Sequence, residues 1–330
     1  MKRLAILALA LSGLLVLPHL SSAQTKVTVG MASGVNQVTS LVAAEQGYFK
    51  EEGLDVEIKP VVRGVLAVEA IVAGSMQFAE VSDVVLFSAI DKGIPLVALG
   101  AASRGFTGKM VGVPSLGEVK SLADLKGKRI GIQVGTGVHG VFLILLEQQA
   151  LSESDFQISN VRVTDMPTAM ASGGAFDAVL GWDPMMQRIV QAGNGKEIIS
   201  AKQFQEMAEI TYPLLLVADK NYIAENRDTV QHFVNAYAKA HKWIRANPDG
   251  AFRIFSKTVR ETGSALEDDI IKTMMFEVDK FTGVNFIASD EKELSRTRDF
   301  LRKTGKISSA PDLKDVLEPS FADAAEAAIK

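Results

Sequence analysis

The sequence predicts an α/β fold with two similar lobes, each built on a mainly parallel sheet flanked by helices. Strand-like and helix-like segments alternate along the chain, which is typical of parallel sheets. The alternation occurs in two rounds, and glycines and alanines recur between the rounds at an offset of about 100 residues. The chain has 330 residues, 47% of them hydrophobic, which is enough for two separate cores. The recurring pairs are Gly30 and Gly131, Gly34 and Gly135, Ala70 and Ala169, Gly74 and Gly173, and Ala79 and Ala178.

The first round occupies the region up to about residue 101. Residues 26–31 alternate like a strand, and the apolar face of the next segment predicts a helix that Gly47 ends as a C-cap. The same reasoning predicts strands over 54–59, 77–81 and 96–101, and helices over 38–46, 67–73 and 84–91.

The second round begins near residue 128. A strand is predicted over 129–134, a tight loop over 135–140 and a strongly apolar helix over 141–150. After Tyr212 a further strand is predicted over 214–218. From residue 228 the pattern is helical, until the turn at 247–250 ends it.

Composition and charge exclude several classes of protein. Lys and Arg number 35 and Asp and Glu 39, so a net charge of −4 gives no electrostatic reason to bind nucleic acid or an anionic membrane. The absence of cysteine excludes thiolate catalysis and cysteine-ligated zinc or iron–sulfur clusters. No metalloprotease, nucleophile-elbow or P-loop motif occurs, and we expect no catalytic residues, no metal and no cofactor.

The N-terminus predicts a secretory signal peptide over residues 1–23. A short cationic start, Lys2 and Arg3, precedes an apolar run over 4–17 and small residues that favour cleavage near Ala23. A transmembrane anchor is the alternative, but the run is short for a bilayer and Pro18 interrupts it. We therefore expect the mature chain in the periplasm.

Several segments resemble the periplasmic substrate-binding proteins of ABC importers, in the branch with taurine, alkanesulfonate, nitrate and thiamine-pyrimidine-precursor binders. The opening segment, AEQGYFKEEGLDV at 44–56, looks like the start of that family. Further matching pieces follow in the family's order, at 70–78, 93–95, 121–128, 176–178 and 182–184.

The resemblance implies a type II-like two-lobed clamp with two crossovers at the hinge. Residues 24–107 would form the first part of lobe 1, 108–212 lobe 2, and 213–330 the return to lobe 1. It also implies a monomer that binds a small, anionic molecule between the lobes. An ABC permease and its ATPase would be the partners, and no nucleic acid would be involved.

A literal GxGxxG motif stands at 135–140, between a predicted strand and a predicted helix. It favours an anion cradle, because glycines and a helix N-terminus let backbone N–H groups approach an anion closely. A dinucleotide fingerprint of a Rossmann dehydrogenase is the enzyme alternative. A loop that merely needs glycine dihedral angles remains open for each single glycine.

Candidate ligand-binding residues lie where the predicted strands end, because open parallel sheets bind ligands at the carboxyl ends of their strands. Arg104 could pair with an anion. Trp182 could cover an organic ligand, and Asp183 could accept a hydrogen bond from an amine or amide group. Helix capping remains the alternative for several polar members, and Lys109 is expected to be exposed. The candidates are Asn36, Gln37, Arg63, Ser82, Asp83, Arg104, Gly135, Thr136, Gly137, His139, Trp182 and Asp183.

The function that these features predict is that of a periplasmic solute-binding protein for a small organic anion, sulfonate-, nitrate- or carboxylate-like, delivered to a permease. Two alternatives remain. One is a ligand-presenting partner of a membrane sensor. The other is an exported enzyme of the pyrimidine-precursor-synthase type, against which the lack of cysteine speaks.

Overall fold

The computed structural model describes residues 24–31, 38–61, 63–261, 266–273, 275–276 and 280–329. The predicted signal peptide and the candidates Asn36 and Gln37 lie outside the described residues. The strands are β1 (Thr25–Met31), β2 (Leu54–Pro60), β3 (Phe78–Val81), β4 (Leu96–Arg104), β5 (Gly108–Gly112), β6 (Arg129–Ile132), β7 (Gln157–Asn160), β8 (Ala178–Trp182), β9 (Lys196–Ile199) and β10 (Pro213–Asp219).

Helices separate most of these strands and fill the C-terminal part. They are α1 (Val38–Glu45), α2 (Tyr48–Glu51), α3 (Gly64–Val72), α4 (Asp83–Asp91), α5 (Gly137–Gln148), α6 (Met166–Ala171), α7 (Met185–Gln191), α8 (Ala201–Ala208), α9 (Lys220–Glu225), α10 (Arg227–Ala246), α11 (Pro248–Glu261), α12 (Asp268–Thr273), α13 (Ala288–Lys303), α14 (Leu313–Val316) and α15 (Ser320–Ala328). Within the described ranges, no helix combines the length and the apolar character that crossing a membrane requires.

The strands form two five-stranded sheets of the same topology. The first has the order β2-β1-β3-β10-β4 and the second β7-β6-β8-β5-β9. In each sheet the fourth strand, β10 or β5, runs antiparallel to its two neighbours, while the other four run in one direction. The predicted α/β fold with two similar, mainly parallel lobes is therefore confirmed. We call the sheets with their packed helices the first and the second lobe.

The two antiparallel strands are the ones that the chain enters directly after it changes sheets. It leaves the first sheet at the end of β4, enters the second at β5, and returns from it into β10. In each lobe, the fourth strand of the sheet is therefore the one that directly follows a crossing. The two crossings run side by side, and the Gly105 N–H donates to the backbone carbonyl groups of Thr211 and Tyr212.

Aromatic packing fixes the long helix α10 against the first sheet. Phe233 on α10 stacks on Phe78 of β3, with ring centroids 3.9 Å apart, and Phe49 and Tyr237 pack around this pair. These four side chains are buried. Large buried aromatic rings contribute strongly to core stability, so the cluster holds α2, α10 and β3 as one unit.

Two local predictions are wrong. Residues 135–140 are not one tight loop, because Thr136 caps α5 by accepting the His139 N–H and the helix begins at Gly137. The predicted turn at 247–250 ends α10, but α11 begins at once, at Pro248. Proline has no N–H to satisfy at the first position of a helix, so it starts α11 instead of breaking the helical region.

Candidate functional site

A cavity of about 570 Å³, counting the part open to solvent, lies between the two lobes. Both lobes and both crossings supply its walls. The lining residues are Arg63, Gly64, Glu80, Val81, Ser82, Val85, Phe106, Thr107, Thr136, Gly137, Val138, Trp182, Tyr212 and Leu214.

Three helices begin at this cavity. Gly64 is the first residue of α3, Ser82 is the N-cap of α4, and Thr136 and Gly137 start α5. These helix starts follow the carboxyl ends of parallel strands, where open α/β sheets bind ligands. The positive ends of the helix dipoles favour a negative charge at such a place.

The N-terminus of α5 touches the other lobe so closely that it has room only for glycine. A Cβ at Gly137 would lie 1.8 Å from the Tyr212 hydroxyl and 2.7 Å from the Ser82 Cβ, and one at Gly140 would lie 2.4 Å from Val84. Gly135 has a φ of 80°, which favours glycine. The GxGxxG motif is therefore explained by a turn and by contact between the lobes, and this geometry needs no nucleotide.

Tyr212 joins the two crossings to this contact. Its ring packs edge-on against Phe106, with centroids 5.1 Å apart, and its hydroxyl is hydrogen-bonded to the Ser82 side chain. Burial, reinforced by the nearby carboxylates of Asp83 and Glu293, raises the pKa of the Tyr212 hydroxyl. The phenol therefore stays protonated at neutral pH.

Helix α13 holds the return crossing from behind. The Glu293 carboxylate accepts the Thr211 N–H at 2.7 Å. Burial, with the neighbouring charge of Asp83, raises the pKa of Glu293 to about 7. Both acids lie behind the wall of the cavity rather than in it, since neither is among the lining residues.

Glu80 is the acid that does line the cavity. It is 1% exposed, and its Oε1 accepts hydrogen bonds of 2.6 Å from both Ser40 and Tyr237. Its Oε2 has no hydrogen-bond partner among the described residues. Burial raises the pKa of Glu80 to about 7, against the opposing effect of the two hydroxyl donors.

Arg63 supplies a positive charge at the same cavity. It is half-buried and stands directly before α3. Within the part of the chain that the structure describes, no ion pair joins Arg63 to an acid at 4 Å or less. The cavity therefore combines a guanidinium and three helix N-termini with one buried carboxyl, between apolar walls that include Val81, Val85 and Leu214.

A family profile described as "NMT1/THI5 like" matches residues 35–251, about two thirds of the chain. The protein belongs to the NMT1/THI5-like family. A Brucella abortus protein that is named for a binding role is 26% identical over 317 residues, covering 96% of this chain and 97% of that protein. The formylaminopyrimidine-binding protein of Halalkalibacterium halodurans is 24% identical over 229 residues, covering 69% of this chain and 68% of that protein.

A solved structure shares the fold of this NMT1/THI5-like protein. The alkanesulfonate-binding protein SsuA of Xanthomonas axonopodis, bound to MOPS, superposes with a TM-score of 0.73 at 17% identity. The match covers 90% of this chain and 99% of that one. The resemblance to periplasmic substrate-binding proteins is thereby confirmed for the fold.

The structure places some of the predicted site residues in the cavity of this family member and others elsewhere. Arg63, Ser82, Thr136, Gly137 and Trp182 line it together. Gly135 sets the turn before α5 without lining the cavity. Asp83, Arg104, His139 and Asp183 are buried outside the lining, each bonded within the protein.

Arg104 differs most from the expectation of an anion contact. All three guanidinium nitrogens are bonded: Nε and one terminal nitrogen to Asp290, and the terminal nitrogens also to Thr282 and to two backbone carbonyl groups. Both charged residues are buried. Arg104 therefore fastens α13 to the end of β4 instead of facing the cavity.

The remaining three residues are bonded to nearby protein groups. Asp183 pairs with Lys109 at 2.8 Å, so the expectation that Lys109 is exposed is wrong. His139 accepts the Gly135 N–H at Nδ1 and bonds Glu153 at Nε2, and burial lowers its pKa. The Asp83 carboxylate accepts the Val84 N–H and is hydrogen-bonded to the Thr297 side chain.

Sequence reasoning missed Glu80, Phe106, Thr107 and Tyr212 as wall residues. One signal for Glu80 was available, since it is an acid inside a short strand whose other members, Phe78, Ala79 and Val81, are apolar. An acid in a buried strand costs stability unless it is bonded or used. The sequence predicted that the chain crosses between the lobes near Phe106 and Tyr212. It did not predict that these two residues line the cavity.

Replacing Arg104 by Ala tests its structural role. We expect a loss of about 3–5 kcal/mol of unfolding free energy, because Asp290 would keep an unpaired buried charge. Urea denaturation measures the free energy of unfolding. Arg162→Ala is the control, because Arg162 pairs with Asp165 on the surface, where an ion pair contributes little. A stability equal to that of the control would contradict the assignment and restore Arg104 as a candidate for the ligand.

Replacing Gly137 by Ala tests the contact between the lobes. The added methyl group would overlap the Tyr212 hydroxyl, so we expect a loss of about 1–3 kcal/mol from overpacking. Gly117→Ala is the matched control, because no atom lies within 4 Å of its added Cβ. If both variants unfold at the same urea concentration, the lobes do not make this contact in solution.

The raised pKa of Glu80 predicts a pH dependence of stability. Between its ordinary value of 4.5 and about 7, the folded chain holds a proton that the unfolded chain has lost, so rising pH reduces stability over this window. The wild type should lose on the order of 3 kcal/mol relative to Glu80→Gln across it. Denaturation curves at pH 4.5, 6 and 7.5 measure the difference. Parallel pH profiles of the two proteins would show that Glu80 does not hold this proton.

Proposed function

We propose that this protein is the periplasmic solute-binding component of an ABC-type importer, which captures a small organic anion in the cavity between its lobes. The observation that carries the proposal is the convergence of three helix N-termini and Arg63 on one cavity walled by both lobes. Helix N-termini and guanidinium groups are the groups with which proteins hold sulfonates, carboxylates and similar anions.

The apolar walls favour an organic ligand over a bare ion. Phe106, Val138, Trp182 and Leu214 bring apolar or aromatic surface to the cavity. Small-molecule sites combine such walls with a few polar groups that orient the ligand. An organic sulfonate or carboxylate would use both the polar groups and the apolar walls of the cavity. Nitrate would use only the polar groups.

The mechanism that we propose is closure of one lobe on the other. Residues 24–107 and 213–330 would move as one body and 108–212 as the other, and the crossings at 105–107 and 211–212 would serve as the hinge. Because the two lobes each supply part of the wall, closure removes the ligand from water and completes its contacts. A ligand held by one lobe alone would bind weakly.

The partners and compartment follow from the same proposal. An exported, monomeric chain without catalytic activity, cleaved near Ala23, would present the ligand to a membrane permease and its ATPase. The relatives with binding-protein names support the solute-binding part of this assignment. The name of the second relative adds pyrimidines to the ligands that deserve a test.

A stabilisation screen tests the proposed function. The mature chain is unfolded and refolded to remove bound ligand, and is then heated with taurine, alkanesulfonates, nitrate, carboxylates or pyrimidines. A ligand at about 100 times its dissociation constant adds roughly 2.7 kcal/mol of stability. We expect one anionic class to raise the melting temperature.

Variants of the lining connect that shift to the cavity. Arg63→Ala and Trp182→Ala should weaken binding about tenfold or more, because they remove a charged contact and an aromatic wall. Arg162→Ala, on the exposed surface of the second lobe, is the control and should bind normally. If only neutral heterocycles raise the melting temperature, the proposal that the ligand is an anion is contradicted. If no compound raises it, the proposal of solute binding is contradicted.

A further inference from the structure

One carboxyl oxygen of Glu80, Oε2, is buried without a hydrogen-bond partner in the part of the chain that the structure describes. A carboxylate can accept about four hydrogen bonds, and Ser40 and Tyr237 both donate to Oε1. Oε2 has no donor among the described residues, although Glu80 is 1% exposed and lines the cavity. Buried polar atoms in native proteins are nearly always paired, so an oxygen without a partner among the described residues, on a residue that lines a cavity, is available to a ligand.

The surroundings of Glu80 favour a donor that carries positive charge. Ser40 and Tyr237 hold the carboxyl in place by neutral hydroxyl groups, and no cation among the described residues forms an ion pair with it. Arg63 lies on the same cavity, together with the N-termini of α4 and α5. The site therefore presents one negative group and several positive ones to the same ligand.

We infer that Glu80 receives an amino group of the solute, and that the solute is a small anion that also carries an ammonium group. This inference rests on the proposed solute-binding function and narrows its ligand class. The ammonium N–H would donate to Oε2 of Glu80, while the sulfonate or carboxylate group would face Arg63 and the helix N-termini. An anion without a donor would enter the cavity and leave Oε2 unpaired, which weakens binding.

The protonation of Glu80 gives a second consequence. Its pKa of about 7 in the empty cavity means that it holds a proton for most of the time at pH 6. An ammonium beside Oε2 stabilises the ionised carboxylate and lowers that pKa. Binding at pH 6 should therefore release most of one proton, which moves from the Glu80 carboxyl to the buffer while the ligand keeps its own.

Calorimetric titration with matched pairs of ligands tests the inference. Taurine is compared with ethanesulfonate, and 4-aminobutanoate with butanoate, since each pair differs by one amino group. We expect the amino member of the pair that fits to bind the wild type at least about tenfold more tightly. This comparison uses the unmodified protein and does not depend on how a variant folds.

Glu80→Gln then locates the preference. Glutamine keeps the shape and an acceptor for the Ser40 and Tyr237 hydroxyls but removes the charge. It should abolish most of the preference for the amino compound, because the amino member loses its acceptor while the other member binds at least as tightly as it does to the wild type. Glu69→Gln makes the same change on the exposed face of α3. It should alter the binding of neither member of the pair. Titrations at pH 6 in buffers of different ionisation enthalpy should show proton release in the wild type and none in Glu80→Gln.

Two results would overturn the inference while leaving solute binding in place. One is an anion without an N–H donor that binds as tightly as its amino analogue. The other is a preference for the amino compound that survives in Glu80→Gln, because another residue would then make the contact. A protein that binds no compound of the pairs or of the stabilisation screen would instead overturn the proposed function, and the inference with it.

Discussion

The site depends on the close approach of α5 to α4 across the two lobes. Gly137 lies against Ser82 and Tyr212, and Gly140 lies against Val84, at distances that a side chain would not allow. This approach brings the N-termini of two helices from different lobes to one cavity. It also places the return crossing at Tyr212 beside the outgoing crossing at Phe106. The glycines are thus needed for the geometry that unites two half-sites.

The charges of the molecule are divided between structure and site. Arg104 with Asp290, and Lys109 with Asp183, are buried pairs whose bonds lie within the protein. Such pairs leave no strong charge for a ligand, and their partners fix them in position. Arg63 and Glu80 differ from them, since both line the cavity and neither forms an ion pair among the described residues. These two residues give the cavity its polarity.

Much of the fold could be predicted from the sequence, because the signals for it are local. The alternation of strands and helices, and the recurrence of glycine and alanine between the rounds, predicted two lobes of like topology. The start of α5 could not be predicted in this way, since glycines in a local reading indicate a loop, whereas here they permit contact with the other lobe. Propensity was overridden by tertiary packing.

The site was predicted in part, for a related reason. The ends of parallel strands pointed to Ser82, Thr136 and Trp182, which do line the cavity. Arg104 was expected to face the ligand, but it is bonded to Asp290. That partner is 186 positions away in the chain, so no local sequence pattern could predict the pair. Glu80 was overlooked because an acid in a strand has no motif, and its unpaired oxygen is visible only in three dimensions.

The central claim is that the lobes close on a solute, and a distance between them tests it most directly. The chain has no cysteine, so Glu69→Cys in the first lobe and Thr168→Cys in the second would be the only sites for spin labels. Both positions are exposed. The solute that stabilises the protein should shorten and narrow the measured distance distribution. An unchanged distribution at saturating solute would contradict closure between the lobes.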